Sequence, residues 1–158
     1  QELARDDSPE WLVWRHAVDY LEGCENEEIH SFVVLPVTAP LRSVEDVNNC
    51  IDLFEKGEVD SVITVSDAHR SPFFNMVVNN SGGYSSLVIS TDDRITRRQD
   101  APKVYDMATV AYVVNTNFVK KFDGIFEGMV KSVVVPQERA IDIDTLLDFK
   151  IAECLFLS

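Results

Sequence analysis

Long apolar runs, paired cysteines, basic tracts and glycine-rich loops are all missing from this chain of 158 residues. Its longest apolar stretches, such as Phe32 to Leu35 and Ser132 to Pro136, fall far short of the ~20 residues that span a bilayer. The opening residues are charged rather than signal-like, so a cytoplasmic protein with no membrane partner is the expectation. Cys24, Cys50 and Cys154 are odd in number and widely spaced, with no C-x-x-C pair to seed a zinc site or redox couple. They read as reduced structural thiols. Lys and Arg number 14 against 27 Asp and Glu, a net charge of −13, and no basic run is longer than Arg97-Arg98 or Lys120-Lys121. A surface so acidic repels polyanions, which excludes general nucleic-acid binding. His16, His30 and His69 have no Cys or His partner at ligand spacing, and no G-x-S-x-G elbow supports a serine hydrolase.

What is present describes a single α/β domain over residues 1–158. Ser8-Pro9-Glu10 starts a helix whose apolar face is predicted at Leu12, Val13, Ala17, Val18 and Leu21, ending near Gly23. Phe32 to Leu35 reads as a strand covered on both faces, stopped by Pro36 and Pro40. Ser43 and Asp46 form a capping-box pattern before helical spacing at Val44, Val47, Cys50, Ile51 and Phe54, and Ser61 to Val65 is again a strand. Strand, helix, strand in so short a span predicts a crossover and a mainly parallel sheet. Phe73 to Val78, the turn Asn79 to Gly83 and Tyr84 to Ser90 predict an inserted hairpin within about residues 70–98, either a surface excursion or a dimerisation arm. Strands at Thr109 to Val114 and Lys131 to Val135, a short helix near Asn117 to Phe122 and a last helix from Thr145 to Leu157 complete the pattern.

Chemistry concentrates in three places. In Ile141-Asp142-Ile143-Asp144-Thr145, an extended backbone sends the isoleucines to one face and Asp142 and Asp144 to the other. Two carboxylates so close repel unless a cation lies between them, and Mg²⁺ with phosphate oxygens completing its shell suits them. The alternative is that Asp144 or Thr145 caps the last helix with Asp148 at N3, and that Asp142 is solvated. Arg94, Arg97, Arg98 and Gln99 form the densest positive cluster, fitted to a carboxylate or phosphate or simply solvated. The turn Thr38-Ala39-Pro40-Leu41-Arg42 leaves a strand and precedes a helix N-terminus, a location for phosphate or ribose contacts. Tyr105 and Tyr112 either line a pocket or belong to the core.

Four segments in order carry a resemblance. Leu35 to Arg42, Asp60 to Val65, Arg97-Arg98-Gln99-Asp100-Ala101-Pro102-Lys103-Val104-Tyr105, and Ile141 to Thr145 with Asp148-Phe149 together resemble the acylneuraminate cytidylyltransferases, which include the CMP-sialic acid synthetases. The resemblance reaches back to Asp6-Asp7-Ser8. It implies a Rossmann-like nucleotide-diphospho-sugar transferase fold with a hairpin dimerisation arm and a homodimeric state. The implied reaction is attack by the anomeric hydroxyl of a nonulosonic sugar acid on the α-phosphate of CTP, with release of pyrophosphate. Asp142 and Asp144 match the family's Mg²⁺-binding aspartates, and Arg98 matches an arginine lent across the dimer interface. Gln99 and Tyr112 match positions near the sugar acid, while Thr38 and Arg42 stand in the substrate-binding turn.

The family's usual Gln is replaced by Pro36, its usual Asn-Gly by Ala108-Thr109, and a common lysine after Pro72 by Phe73. These departures favour a legionaminic- or pseudaminic-type acid over sialic acid itself. The family's opening strand and basic, glycine-containing nucleotide loop have no counterpart in residues 1–158, which reads as an N-terminally truncated pattern. A non-catalytic α/β interaction module that keeps the fold and arm is the competing reading, and a nucleotidyltransferase using another base or keto-sugar acid is a third. Residues 1–158 alone are expected to show no measurable pyrophosphate release with CTP, Mg²⁺ and a panel of nonulosonic acids; robust turnover in that assay contradicts the expectation.

Overall fold

The computed structural model describes residues 8–25, 28–91 and 95–157, and the chain divides into two compact units, Gln1–Val65 with Met107–Ser158, and Ser66–Asp106. The Asp6-Asp7 approach and Arg94 lie outside the described residues.

The first unit is organised on a four-stranded sheet in the order β1-β5-β2-β6. Its strands are β1 (Ser31–Val34), β2 (Ser61–Asp67), β5 (Tyr105–Asn115) and β6 (Val130–Val134). β2 and β6 pair in parallel with Ser61 opposite Val130, whereas β1 and β5 are antiparallel with Val34 opposite Tyr112. β5 also runs against β2, because Asn115 donates to the Asp60 carbonyl at one end and Ala68 donates to the Val104 carbonyl at the other. Three strands therefore share one direction. The predicted crossover from β1 through α2 (Val44–Glu55) to β2 is present, but its two strands are not neighbours, since the reversed β5 lies between them.

That reversed strand carries the core on both faces. Tyr112 and Val114 pack with Trp11 and Trp14 of α1 (Glu10–Glu25) and Phe118 of α3 (Thr116–Lys121), while Ala111 and Val113 pack with Cys50 and Phe54 of α2. Helices thus cover both faces of one sheet. β2 is buried from Ser61 through Ser66, as its continuous apolar run predicts. β1 departs from its prediction: it is an edge strand, with Val33 and Leu35 40% and 46% exposed.

α1 also departs, in phase. Val18 is buried as expected, but its buried companions are Trp11 and Trp14, while the expected Leu12, Val13, Ala17 and Leu21 are exposed. The tryptophans win because each buries more apolar area than a leucine and carries a polar handle. Trp14 packs at a tilt against Tyr112 and edge-on to Phe32, and the Trp11 indole donates to the Phe122 carbonyl beyond α3. Arg15 adds bonds to the Val119 and Phe122 carbonyls, which fixes the helix rotation.

β5 is irregular in one place. From Asp60 to Ala68 there are eight steps along β2, but from Val104 to Asn115 eleven along β5, so β5 holds three extra residues. The excess gathers near Ala108 to Val110. There the buried Thr64 hydroxyl, rather than a backbone carbonyl, accepts the Ala111 N–H at 3.2 Å, and it donates to the Ala108 carbonyl at 2.8 Å. This is a β-bulge braced by a side chain.

In the second unit, β3 (Val77–Asn79) and β4 (Ser85–Leu87) form the predicted hairpin, shorter than the flanking apolar runs suggested. Asn80 Oδ1 accepts the N–H groups of Gly82 and Tyr84, and Gly83 turns the chain at φ +80°. Among the described residues, no helix is long and apolar enough to cross a membrane.

Candidate active site

Ligands of open α/β sheets bind beyond the carboxyl ends of parallel strands. In the first unit, that end receives the turn leaving β1 and the connection that follows β6. Arg42 holds the turn: its Nε donates to the Ala39 carbonyl at 3.0 Å and its Nη2 to the Pro36 carbonyl. A guanidinium committed to its own turn shapes the loop, and burial pulls its pKa down from the usual value. Thr38 contributes through its backbone, its carbonyl accepting the Ile143 N–H at 2.9 Å.

The connection between β6 and the last helix, α4 (Leu146–Phe156), delivers the two aspartates. It is pinned at three points. Arg139, closing the 3-10 turn Gln137–Arg139, makes a two-pronged bond to Asp46 with both contacts at 2.8 Å. Ile143 is tied to Thr38 as above. Thr145 and Asp148 form a capping box on α4. Helix capping therefore falls to Thr145, and Asp144 is not needed for it.

Between these pins, the backbone of Ile141 to Ile143 is not part of a sheet strand. Ile143 lines an apolar groove with Pro40, Leu41, Phe149, Ala152 and Phe156, and neither Asp142 nor Asp144 does. Asp142 is half-buried, and its Oδ1 is shielded with no hydrogen-bond partner. Asp144 is exposed, and no described residue bonds its carboxylate. A shielded, unpartnered carboxylate oxygen is costly unless something fills its coordination. Hard oxygen donors of this kind fit Mg²⁺, which is commonly held by one or two carboxylates plus phosphate oxygens and water. Among the described residues, no group of three or more His, Cys, Asp or Glu side chains is assembled to hold a metal by itself.

Tyr112 is 4% exposed, and its ring belongs to the core against Trp14. Burial, with the charges of Glu10 and Asp142 adding to it, pushes its phenol up to about 12, so it stays protonated at neutral pH. It is thus a core residue whose hydroxyl senses the Asp142 carboxylate.

The second unit holds its own pocket of about 450 Å³, lined among others by Asp67, Arg70, Ser71, Arg98, Gln99 and Lys103. Arg98 Nη2 donates to the His69 carbonyl at 2.7 Å, while Arg97 is spent on Asp100 at 2.8 and 2.9 Å. Lys103 pairs with Asp67 at 2.8 Å and lies 4.7 Å from the centre of the Tyr105 ring. The predicted arginine cluster therefore resolves into one pocket residue, Arg98, and one internally neutralised neighbour, with Gln99 beside Arg98 on the pocket wall.

Sequence reasoning missed Arg139 and saw Asp46 only as a cap. The available signal was a lone basic residue just before the doubled-Asp motif. Asp46 is buried, which opposes its ionisation, yet bonds from Arg139 and Ser43 outweigh that and hold its carboxyl below the ordinary range.

No family model matches the chain. It is 31% identical over 153 residues to post-translational flagellin modification protein B of Campylobacter coli, covering 97% of this chain and 64% of that protein. It is 32% identical over 154 residues to CMP-N,N'-diacetyllegionaminic acid synthase of Campylobacter jejuni serotype O:2, again covering 97% and 64%. An N-acylneuraminate cytidylyltransferase of Streptococcus agalactiae serotype V is 24% identical over 131 residues, 83% of this chain and 31% of that one. The chain thus spans just under two thirds of the two Campylobacter relatives. Among solved structures, a 4-diphosphocytidyl-2C-methyl-D-erythritol synthase from Anaerococcus prevotii superposes with a TM-score of 0.58 at 16% identity, over 88% of this chain and 65% of that one. That likeness shows the fold, a Rossmann-like α/β sheet.

The clamp on the aspartate segment is directly testable. Replacing Arg139 by Met leaves Asp46 buried and uncompensated, and is expected to cost about 2 kcal/mol, less than for a fully buried pair because Arg139 is partly exposed. A carboxyl with a lowered folded pKa stabilises above its unfolded pKa of about 4 and loses that contribution as pH falls through the folded value. Calorimetric melting of both proteins should therefore show a gap that is constant at neutral pH and closes in acid. The chain is similar, over 83–97% of its own length and over part of theirs, to proteins named CMP-N,N'-diacetyllegionaminic acid synthase and N-acylneuraminate cytidylyltransferase.

Proposed function

We propose that this chain carries the metal-binding and acceptor-binding parts of a cytidylyltransferase, which moves CMP from CTP to a nonulosonic acid of the sialic, legionaminic or pseudaminic type and releases pyrophosphate. The observation that carries the reading is the aspartate segment. Its backbone is pinned on both sides, while Asp142 keeps a shielded oxygen with no partner and the Asp144 carboxylate is bonded by no described residue. Such a site is preorganised for a ligand that supplies the missing coordination.

When bound, Mg²⁺ would neutralise charge on the α-phosphate and the departing pyrophosphate. Asp142 and Asp144 are the residues that would hold it. The Thr38 turn, stiffened by Arg42 and tied to Ile143, would keep the phosphates in register with them. Arg98 and Gln99 would receive an anionic, hydrogen-bonding ligand in the pocket of the second unit, a role a carboxylate-bearing sugar fits. Arg98 is oriented for this by its bond to the His69 carbonyl. The Campylobacter jejuni relative, by its name, supports a legionaminic-type acceptor within this class.

Two finer points belong to the same proposal. Residues 1–158 offer no counterpart of the family's basic nucleotide loop, so this stretch alone binds ligand but turns over too slowly to measure. The hairpin is a homodimer arm, supported by exposed Val77, Val78 and Tyr84 at 59%, 50% and 77%.

Thermal melting with CTP and Mg²⁺ tests the reading. At 100 times the dissociation constant, a ligand stabilises by about 2.7 kcal/mol. The expected result is a shift that requires both components and disappears in Asp142→Asn, with the ligand-free melting point of that variant unchanged. No shift in the parent protein, or an equal shift in the variant, rejects it.

A further inference from the structure

The pocket of the second unit is a cationic depression in a chain whose net charge is −13. Arg70, Arg98 and Lys103 line it, and Asp67 is the single carboxylate among its lining residues. Such a pocket draws in anions that the rest of the surface repels. Arg98 is held by a neutral group, the His69 carbonyl at 2.7 Å. Lys103 is instead matched with the carboxylate, its Nζ 2.8 Å from Asp67 Oδ1. A cavity suited to anions thus carries an anion of its own.

Two strand ends build that pair. Asp67 closes β2, Lys103 stands two residues before β5 opens at Tyr105, and the Ala68 N–H donates to the Val104 carbonyl at 3.3 Å to join the two segments. The Lys103 ammonium also lies 4.7 Å from the centre of the Tyr105 ring, whose negative face attracts it whether or not Asp67 holds it. Both side chains of the pair are more than half exposed, at 64% and 60%. An ion pair so open to water contributes little to stability, so exchanging its anion costs little. Until it is exchanged, the carboxylate repels any anion that lacks further contacts to the pocket, and a repulsive group of this kind is a source of discrimination.

We infer that Lys103 is a specificity-determining residue of this pocket and that Asp67 is its internal placeholder, released when an anionic oxygen of the ligand takes the ammonium over. The inference rests on the proposed function for the existence of that ligand. The sugar acid's carboxylate and the phosphates of CTP both supply anionic oxygen, so the two are tested separately.

The experiment titrates wild-type protein, Asp67→Asn, Lys103→Met and the double variant by calorimetry, with N,N'-diacetyllegionaminic acid in one arm and CTP with Mg²⁺ in the other, and melts each protein without ligand. Lys103→Met is expected to bind one of the two ligands about tenfold more weakly. Asp67→Asn is expected to bind that same ligand more tightly, with a gain about threefold larger when Lys103 is present than in the Lys103→Met background. The difference between the two gains isolates the exchange, because a carboxylate that only repels the ligand weakens binding equally in both backgrounds. The arm that shows it identifies the anion as carboxylate or phosphate. Ligand-free melting is expected to be unchanged in both single variants, since the pair is exposed. A drop of several degrees in either shows a structural pair and overturns the inference. Equal gains in the two backgrounds, or wild-type affinity of Lys103→Met in both arms, overturn it as well and leave the proposed function standing. If the wild-type protein binds neither ligand, both fail together.

Discussion

One buried carboxylate organises the region on which the chemistry depends. Asp46 sits at the start of α2, where it accepts the Ser43 N–H in a capping box and both prongs of Arg139. A charge removed from water is tolerated only when its lone pairs are met, and here three donors meet them. The same residue thereby ends the turn that leaves β1 and fastens the segment that follows β6. Two loops distant in sequence are drawn to one node, and the Ile143 to Thr38 bond closes the frame a few residues on. Asp142 and Asp144 occupy the span between that frame and the Thr145 cap. Their carboxylates are free of structural duty because other residues perform it.

The reversed central strand is the second constraint. A purely parallel sheet would present only strand ends and loops at its carboxyl edge. Inserting β5 in the opposite sense brings the beginning of a strand to that edge, with side chains set by regular backbone rather than by a loop. The bulge at Ala108 to Val110 then breaks the regular alternation, and Thr64 braces the break from β2. Tyr112, three residues on from Thr109, roots the strand in the aromatic cluster of α1.

Much of this was legible before any coordinates. Ser43-Asp46 and Thr145-Asp148 are local patterns whose hydrogen bonds close within four residues, so sequence spacing determines them. The hairpin turn at Asn80 to Gly83 and the buried run of β2 are local in the same sense. The failures are long-range. Which face of α1 is buried depends on where two tryptophans find partners on β5 and beyond α3, and helical periodicity favoured the leucines instead. The direction of β5 depends on its neighbours, not on its own residues. Arg139 reads as one more surface charge until the fold brings Asp46 to it, 93 residues away in sequence. At the site, the doubled aspartates and the choice of Asp144 or Thr145 as helix cap were visible from spacing, and the structure decides that choice for Thr145. The arginine cluster was visible as charge alone, and its division between Arg97 and Arg98 emerged from the positions of Asp100 and the His69 carbonyl.

The central claim is that Asp142 and Asp144 hold a divalent cation together with a nucleotide's phosphates. Mn²⁺, which shares the oxygen-donor preference of Mg²⁺, gives an electron paramagnetic resonance signal that reports its ligands directly. The account predicts that protein and CTP together broaden the Mn²⁺ spectrum beyond what CTP alone produces, and that the added effect vanishes when both aspartates are replaced by asparagine. A spectrum identical for the parent protein and the doubly substituted one would contradict it.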